Sequence, residues 1–359
     1  MTDGSIPAAA GENTYAAAGV DIDAGHRAVE LMKSRVQRAS RPEVVGELGG
    51  FAGLFALDIG RYDKPLLASS TDGVGTKVLI AQQLDRHDTV GIDLVAMVVD
   101  DLVVCGAEPL FMQDYIACGR VVPERISTIV GGIAEGCRQA GCALVGGETA
   151  EHPDLLGHDQ YDIAGTGVGI VESDQILGPH RVSEGDLLIA MGASGLHSNG
   201  YALVRHVLLG AARMRLDSVI DDFGSQRTLG DELLTPTRIY AKDCLALTTE
   251  TDVHAYAHVT GGGLAGNLAR VLPIGLDAVV DRSTWSPGLL YDLVAARGRV
   301  EPREMERTFN MGVGMVAVVG AADADRALAL LAGRHLPAWV LGEIVPGTGN
   351  ARLAGGHPS

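Results

Sequence analysis

The stretch Ile92-Asp93-Leu94-Val95-Ala96-Met97-Val98-Val99-Asp100-Asp101-Leu102-Val103 is the most regular in the chain and governs the reading of its neighbours. Ile92, Val95, Ala96, Val99, Leu102 and Val103 recur at i, i+3, i+4, i+7, i+10 and i+11, the spacing of one face of an α-helix. Gly106 ends it, with Pro109 just beyond. Upstream, Pro65-Leu66-Leu67-Ala68 reads as a strand ending at Ser69, and a first helix runs from an Asp23 N-cap through Val29, Met32 and Val36 to the break at Arg41-Pro42. Downstream, strand signals fall at Phe111–Ala117, Ala143–Val145 and Ile163–Val171, with a helix at Pro123–Ala140. The second half starts with a strand at Leu187–Met191 and continues with helices near Tyr201–Leu209, Pro236–Thr248 and Leu264–Val271. It closes with strands at Gly314–Val319 and Ala338–Ile344 around a helix at Ala322–Leu331. Helices and strands mix without regular βαβα alternation, so the expected class is α+β rather than a doubly wound sheet.

A chain of 359 residues suits two domains. Polarity rises and Gly and Pro cluster after Val171, which places a boundary near residue 177. The expected division is a flexible tail over 1–13, an N-terminal domain over 14–176, a C-terminal domain over 177–350 and a second tail over 351–359. Hydrophobic residues make up 47% and aromatic residues only 4%, so Ala, Val, Leu and Gly must build the core, and disorder is excluded. With 45 acidic and 28 basic residues the net charge is −17, which argues against nucleic acid or an anionic membrane as partner. It leaves room for a small polyanion held through Mg²⁺. The five cysteines are odd in number and contain no CxxC pair, no apolar segment follows Met1, and no run approaches a membrane span. A cytoplasmic, reduced setting is expected.

Four constellations stand out among the 48 glycines. The first is Ser69-Ser70-Thr71-Asp72-Gly73-Val74-Gly75-Thr76-Lys77, directly after a strand. Two glycines let the backbone approach a ligand, Lys77 can neutralise phosphate charge and Asp72 can hold a hard cation; the plainer alternative is a tight turn with a solvent-facing lysine. The Walker A spacing is absent. Gly165, Gly167 and Gly169 sit inside a strand pattern and read as structural. The second is the acidic side of helix 92–105. At about 100° per residue, Asp93 and Asp100 fall beside the apolar stripe and Asp101 opposite it. Such carboxylates commonly form a solvated face, yet near a helix C-terminus they oppose the dipole unless a cation is bound. Glu148, in Gly146-Gly147-Glu148-Thr149, is a further candidate ligand.

The third constellation is Ser194-Gly195-Leu196-His197-Ser198-Asn199-Gly200, where Ser198 or Asn199 can cap the following helix and His197 can act as acid, base or phosphate donor. An exposed loop histidine without a role is the alternative. The fourth is Thr260-Gly261-Gly262-Gly263 at a helix start, a loop exposing amides to phosphate or a plain flexible turn.

Taken together, AGVDIDAG at 18–25, RPEV at 41–44, STDGVGTK at 70–77, GIDLVAM at 91–97, DLVVCGAEPLF at 101–111, VGGETAE at 145–151, HSNGY at 197–201, PTRIY at 236–240, TGGG at 260–263 and RTFNMGVGM at 307–315 resemble the phosphoribosylformylglycinamidine cyclo-ligases, or AIR synthetases. The matches run in family order from about residue 15 to 345. The resemblance implies ATP-dependent ring closure of formylglycinamidine ribonucleotide to aminoimidazole ribonucleotide with release of ADP and phosphate, the fifth step of de novo purine biosynthesis. An amide oxygen is a poor leaving group until phosphorylated, so an iminophosphate-type intermediate is implied, with Mg²⁺ and fixed donors stabilising the transferred charge.

Position by position, the resemblance implies that Asp72, Gly73, Gly75, Thr76, Lys77, Asp93 and Glu148 bind ATP and that Asp72 and Asp101 hold the metal. It implies that His197, Ser198, Asn199, Thr260, Gly261, Gly262 and Gly263 bind substrate, with His197, Lys77 and Asn199 catalytic. It also implies a homodimer whose N-terminal-domain strands form a barrel across the interface, with ATP between subunits. The family often has Asn where this chain has Asp100. A thiamine-monophosphate kinase-like enzyme and a non-catalytic nucleotide-binding regulator are the alternatives; HSNGY, TGGG and RTFNMGVGM speak against the first, and intact Asp72 and Asp101 against the second.

Overall fold

The computed structural model describes residues 19–46, 49–220 and 226–358. The expected tail over 1–13 lies outside them. Helix α1 (Ile22–Val36) starts at Asp21, whose carboxylate accepts from the Ala24 amide at 3.0 Å; the cap is therefore two residues ahead of Asp23. A two-stranded ribbon of β1 (Val44–Val45) and β2 (Leu54–Phe55) leads to β3 (Pro65–Gly73). Next come α2 (Val78–Leu84), α3 (Val90–Val103), β4 (Glu108–Cys118), α4 (Pro123–Ala140), β5 (Ala143–Glu151) and β6 (Tyr161–Glu172). Strands β3, β6, β4 and β5 form one sheet in that order, antiparallel except for the β4–β5 pair. Within one chain this sheet is open.

Helix α3 packs over β3 and β6, α4 lies beside it, and α1 covers α4. The glycines of β6 permit the first contact: a Cβ at Gly165 or Gly167 would press on Leu94 and Met112 or on Val98 and Leu102. They are structural, as their place in a strand pattern indicated.

The C-terminal domain contains β7 (Leu187–Gly192), α5 (Tyr201–Val204), α6 (Leu229–Leu233), α7 (Ala241–Glu250), β8 (Val253–His258), α8 (Gly263–Ala269) and β9 (Leu276–Asp281). It ends with α9 (Leu289–Gly298), α10 (Pro302–Thr308), β10 (Val313–Val319), α11 (Ala324–Gly333), β11 (Ala338–Pro346) and β12 (Ala351–Ala354). Its sheet runs β12-β9-β11-β7-β10-β8. In β10, Met315, Ala317 and Val319 join a core shared with the N-terminal domain, while Val316 and Val318 pack on the other face with Leu264 and Leu268 of α8. Both faces are covered, so the strand reads as one apolar run.

Two expectations are corrected. The segment 351–359 does not behave as a tail along its length, because β12 pairs in parallel with β9 through Ala351–Ala354. The helix expected from Pro236 begins only at Ala241. The Thr237 and Tyr240 amides donate instead to the Asp93 and Asp100 carboxylates, at 2.7 Å and 2.9 Å, which holds 236–240 out of helical geometry. All five cysteines are free, and no helix of the described residues is long and apolar enough to cross a membrane.

Candidate active site

The β3–β6 ladder continues to the pairs Asp72↔Gly165 and Gly73↔Ala164, so Asp72 is held in a strand rather than a loose turn. At that strand end a cleft of about 390 Å³ is lined by Asp72, Gly73, Gly75, Met97, Asp162, Ser198, Asn199 and Thr260. Members of the first, third and fourth constellations thus meet across the domain boundary, although 188 positions separate Asp72 from Thr260 (260 − 72). Thr76 is exposed nearby and does not line the cleft.

Lys77 and Asp93 have a different place from the one expected. Both side chains are fully buried, and Lys77 Nζ donates to Asp93 Oδ1 at 2.7 Å. Burial pulls the Lys77 ammonium below its usual range, opposed by the Asp93 charge. Lys77 thus faces neither phosphate nor solvent, and Asp93 is closed to a nucleotide. Asp100 is equally buried, and loss of solvent pushes its carboxyl up to about 7. The solvated face that was the plainer alternative for these carboxylates is instead covered by the C-terminal domain, apart from Asp101, which is 42% exposed.

Asp101 accepts from Nδ1 of His258 on β8 at 2.9 Å. Burial would lower the His258 pKa, but the Asp101 hydrogen bond and the charges of Asp100, Asp101 and Asp72 raise it above the usual value. The Asp72 carboxyl is raised by burial and then by the Asp101 charge. Asp72 lines this cleft and Asp101 an adjoining one, and two hard carboxylates close enough to repel each other fit a Mg²⁺ ion, which commonly takes one or two carboxylates and completes its shell with water and phosphate. Among the described residues no group of three or more His, Cys, Asp or Glu forms a metal-binding set, so a dedicated protein cage is not the arrangement here. A second cleft of about 290 Å³ beside Asp101 is lined by Ser69, Ser70, His258, Asn267 and Arg270 among others. Sequence reading missed His258, whose carboxylate partner is 157 positions away.

His197 is enclosed rather than exposed, at 1% of its surface, with a left-handed backbone at φ 61°. Its Nε2 accepts from the Ser194 amide at 3.2 Å, which places the ring proton on Nδ1, a buried atom without a hydrogen-bond partner. Burial, followed by the charges of His258, Lys77 and Arg238, holds its pKa well below the usual range, so the imidazole is neutral. Ser198 Oγ lies 3.0 Å from Thr237 Oγ1, and Asn199 borders both the cleft and Gly261. Neither residue caps α5, since Gly200 occupies the N-cap with φ 79°.

The Thr260–Gly263 loop is held from beneath by Asn267. Its side-chain amide donates to the carbonyls of Thr260 at 3.3 Å, Gly261 at 3.3 Å and Gly263 at 2.9 Å. Gly261 and Gly262 are exposed. Gly263 is buried at φ 70°, its amide donates to Thr260, and a Cβ there would overlap the Glu306 carbonyl. It therefore shapes the loop and is not presented to a ligand.

Glu148 does not converge with the others. It lines a separate cavity of about 360 Å³ with Met32, Val36, Leu144, Val145 and Asp114, whose carboxyl burial pushes up to about 7.

Comparison with known proteins assigns both domains to one family. The AIR synthase related protein N-terminal domain matches residues 54–171, and the corresponding C-terminal domain matches residues 183–353. A phosphoribosylformylglycinamidine cyclo-ligase of Anaeromyxobacter dehalogenans is 54% identical over 93% of this chain and 96% of its own length. One of Geobacillus kaustophilus is 47% identical over 96% and 99%. Among solved structures, a thiamine-monophosphate kinase from Stenotrophomonas maltophilia superposes with a TM-score of 0.64 at 19% identity, covering 92% of this chain and 96% of that one. The hydrogenase maturation protein HypE in complex with ATP gives 0.62 at 20%, covering 92% and 90%. At such identities these two share the fold alone. With about half its residues identical to cyclo-ligases along almost the full length of both chains, this chain belongs to the AIR synthase family of phosphoribosylformylglycinamidine cyclo-ligases.

Proposed function

We propose that the chain catalyses ATP-dependent closure of the imidazole ring of aminoimidazole ribonucleotide from formylglycinamidine ribonucleotide, releasing ADP and phosphate. The observation that carries the reading is the convergence of Asp72, Gly73 and Gly75 with Ser198, Asn199 and Thr260 on one cleft, Asp101 and His258 standing beside it. ATP phosphorylates the amide oxygen, an internal nitrogen attacks the activated carbon, and phosphate leaves. Asp72 and Asp101 would hold Mg²⁺, which when bound neutralises the triphosphate charge. The absence of a side chain at Gly73 and Gly75 lets phosphate approach the strand end closely. Ser198, Asn199 and the 260–262 loop border the substrate, and neutral His197 lies behind them as a proton carrier or positioning group.

Homodimerisation through the N-terminal sheet is part of the same reading. Leu67, 68% exposed on edge strand β3, and Tyr115, 42% exposed on β4, suit a contact between copies. A reduced, cytoplasmic setting follows from the pathway. A coupled ADP-release assay with formylglycinamidine ribonucleotide and Mg-ATP tests the activity: substrate-dependent ADP is expected, and folded protein that releases none refutes it.

A further inference from the structure

A lysine ammonium has three protons, and Lys77 spends all of them on the protein: on Asp93 Oδ1 at 2.7 Å, the Thr235 carbonyl at 2.7 Å and the His197 carbonyl at 3.1 Å. Asp93 Oδ1 also accepts from the Thr237 amide at 2.7 Å and from Thr237 Oγ1 at 2.6 Å. A carboxylate paired with a lysine only accepts, so the single Thr237 hydroxyl proton points at Asp93. The 3.0 Å contact between Thr237 Oγ1 and Ser198 Oγ must then be donated by Ser198. That consumes the only proton of Ser198 and leaves its lone pairs for the cleft that it lines.

We propose that the buried Lys77–Asp93 pair is a positioning device that, through Thr237, presents Ser198 to the cleft as a hydrogen-bond acceptor, so that Ser198 receives an N–H or O–H of the substrate and not a phosphate oxygen. The proposal rests on the assignment of this cleft to substrate. Its chemistry is selective: a phosphate oxygen facing Ser198 would meet lone pairs, whereas a ribose hydroxyl or an amidine N–H would be bound. Lys77 is thereby a positioning residue, and it has no proton left for phosphate.

Replacing Lys77 would strand the Asp93 carboxylate in the core, so the test uses Thr237→Val, which keeps the shape and removes the relay, Thr237→Ser, which restores the hydroxyl, and Ser198→Ala. Thr237→Val and Ser198→Ala should each raise the KM for formylglycinamidine ribonucleotide roughly tenfold, with Thr237→Ser near wild type. Combining Thr237→Val with Ser198→Ala should add little beyond either alone. Inhibition by inorganic phosphate should stay unchanged in every variant, and amide exchange at residues 197–199 should quicken in Thr237→Val. Phosphate inhibition weakened by Ser198→Ala overturns the proposal. So does wild-type exchange and KM in Thr237→Val. Faster exchange with an unchanged substrate KM in both single variants also overturns it, and attributes the failure to the assignment of the cleft rather than to the relay.

Discussion

Nδ1 of His258 lies 2.9 Å from Oδ1 of Asp101, joining β8 of one domain to the last turn of α3 in the other. A histidine in this relation fixes the orientation of the carboxylate and its capacity for a cation. His258→Ala should therefore raise the Mg²⁺ concentration for half-maximal activity by about 10- to 100-fold. Asp101→Asn, which removes an anionic ligand, should raise it further and lower activity. Magnesium titrations of activity, with calorimetric binding of Mg-ATP, check both; an unchanged Mg²⁺ dependence in Asp101→Asn would remove it from the metal site.

His197→Asn isolates the imidazole. Asn tolerates the left-handed backbone that His197 adopts at φ 61°, so the loop should keep its path and thermal unfolding should change little. Loss of a positioned proton carrier should lower kcat/KM about 100-fold. Steady-state kinetics beside circular dichroism provide the check, and wild-type kinetics would exclude the ring from the reaction.

A pH-dependent contribution to stability sits away from the cleft. Burial would lower the His254 pKa, but Asp186 at 2.6 Å and Asp252 at 3.2 Å raise it above its ordinary value. A folded-state pKa above the unfolded one means the stabilisation is complete below about pH 6.5 and is lost as pH rises through the folded value. The Tm difference between wild type and His254→Gln should be largest near pH 6 and shrink by about pH 8. A difference that grows with pH would contradict this pairing.

Truncation after Asn350 removes β12 and also His357, whose ring meets Trp285 edge-on at 4.6 Å. If residues 351–359 were a tail, the loss would be silent. The strand pairing and aromatic contact instead predict a fall in stability of about 1–3 kcal/mol, or several degrees in Tm, measured by calorimetry.

Much of this was legible locally. The period of α3, the apolar runs of β7 and β10 and the glycine clusters were all recoverable from spacing. The strand β8, Val-His-Ala-Tyr-Ala-His, was missed because its polar and apolar positions follow neither face cleanly until both sides of the sheet are seen to be covered. Lys77 shows the limit most clearly. Nothing within STDGVGTK distinguishes a lysine aimed at phosphate from one aimed at Asp93, because two of its three acceptors, His197 and Thr235, arrive from the other domain. Asn267 and His258 escaped for the same reason: their roles are set by long-range pairing, which local periodicity does not encode.

Helix α3 lies within a single apolar core that extends from Ala28 to Leu336 and contains residues of both domains. Most helices at a domain boundary belong to one side; this one supplies buried contacts to both, and its acidic side chains are anchored by Thr237 and Tyr240 of the other half. Clamshell opening would tear this seam and expose core apolar surface and two buried carboxylates together. Ligands should therefore reach the clefts without the two domains parting, and the two halves should melt in one transition rather than two.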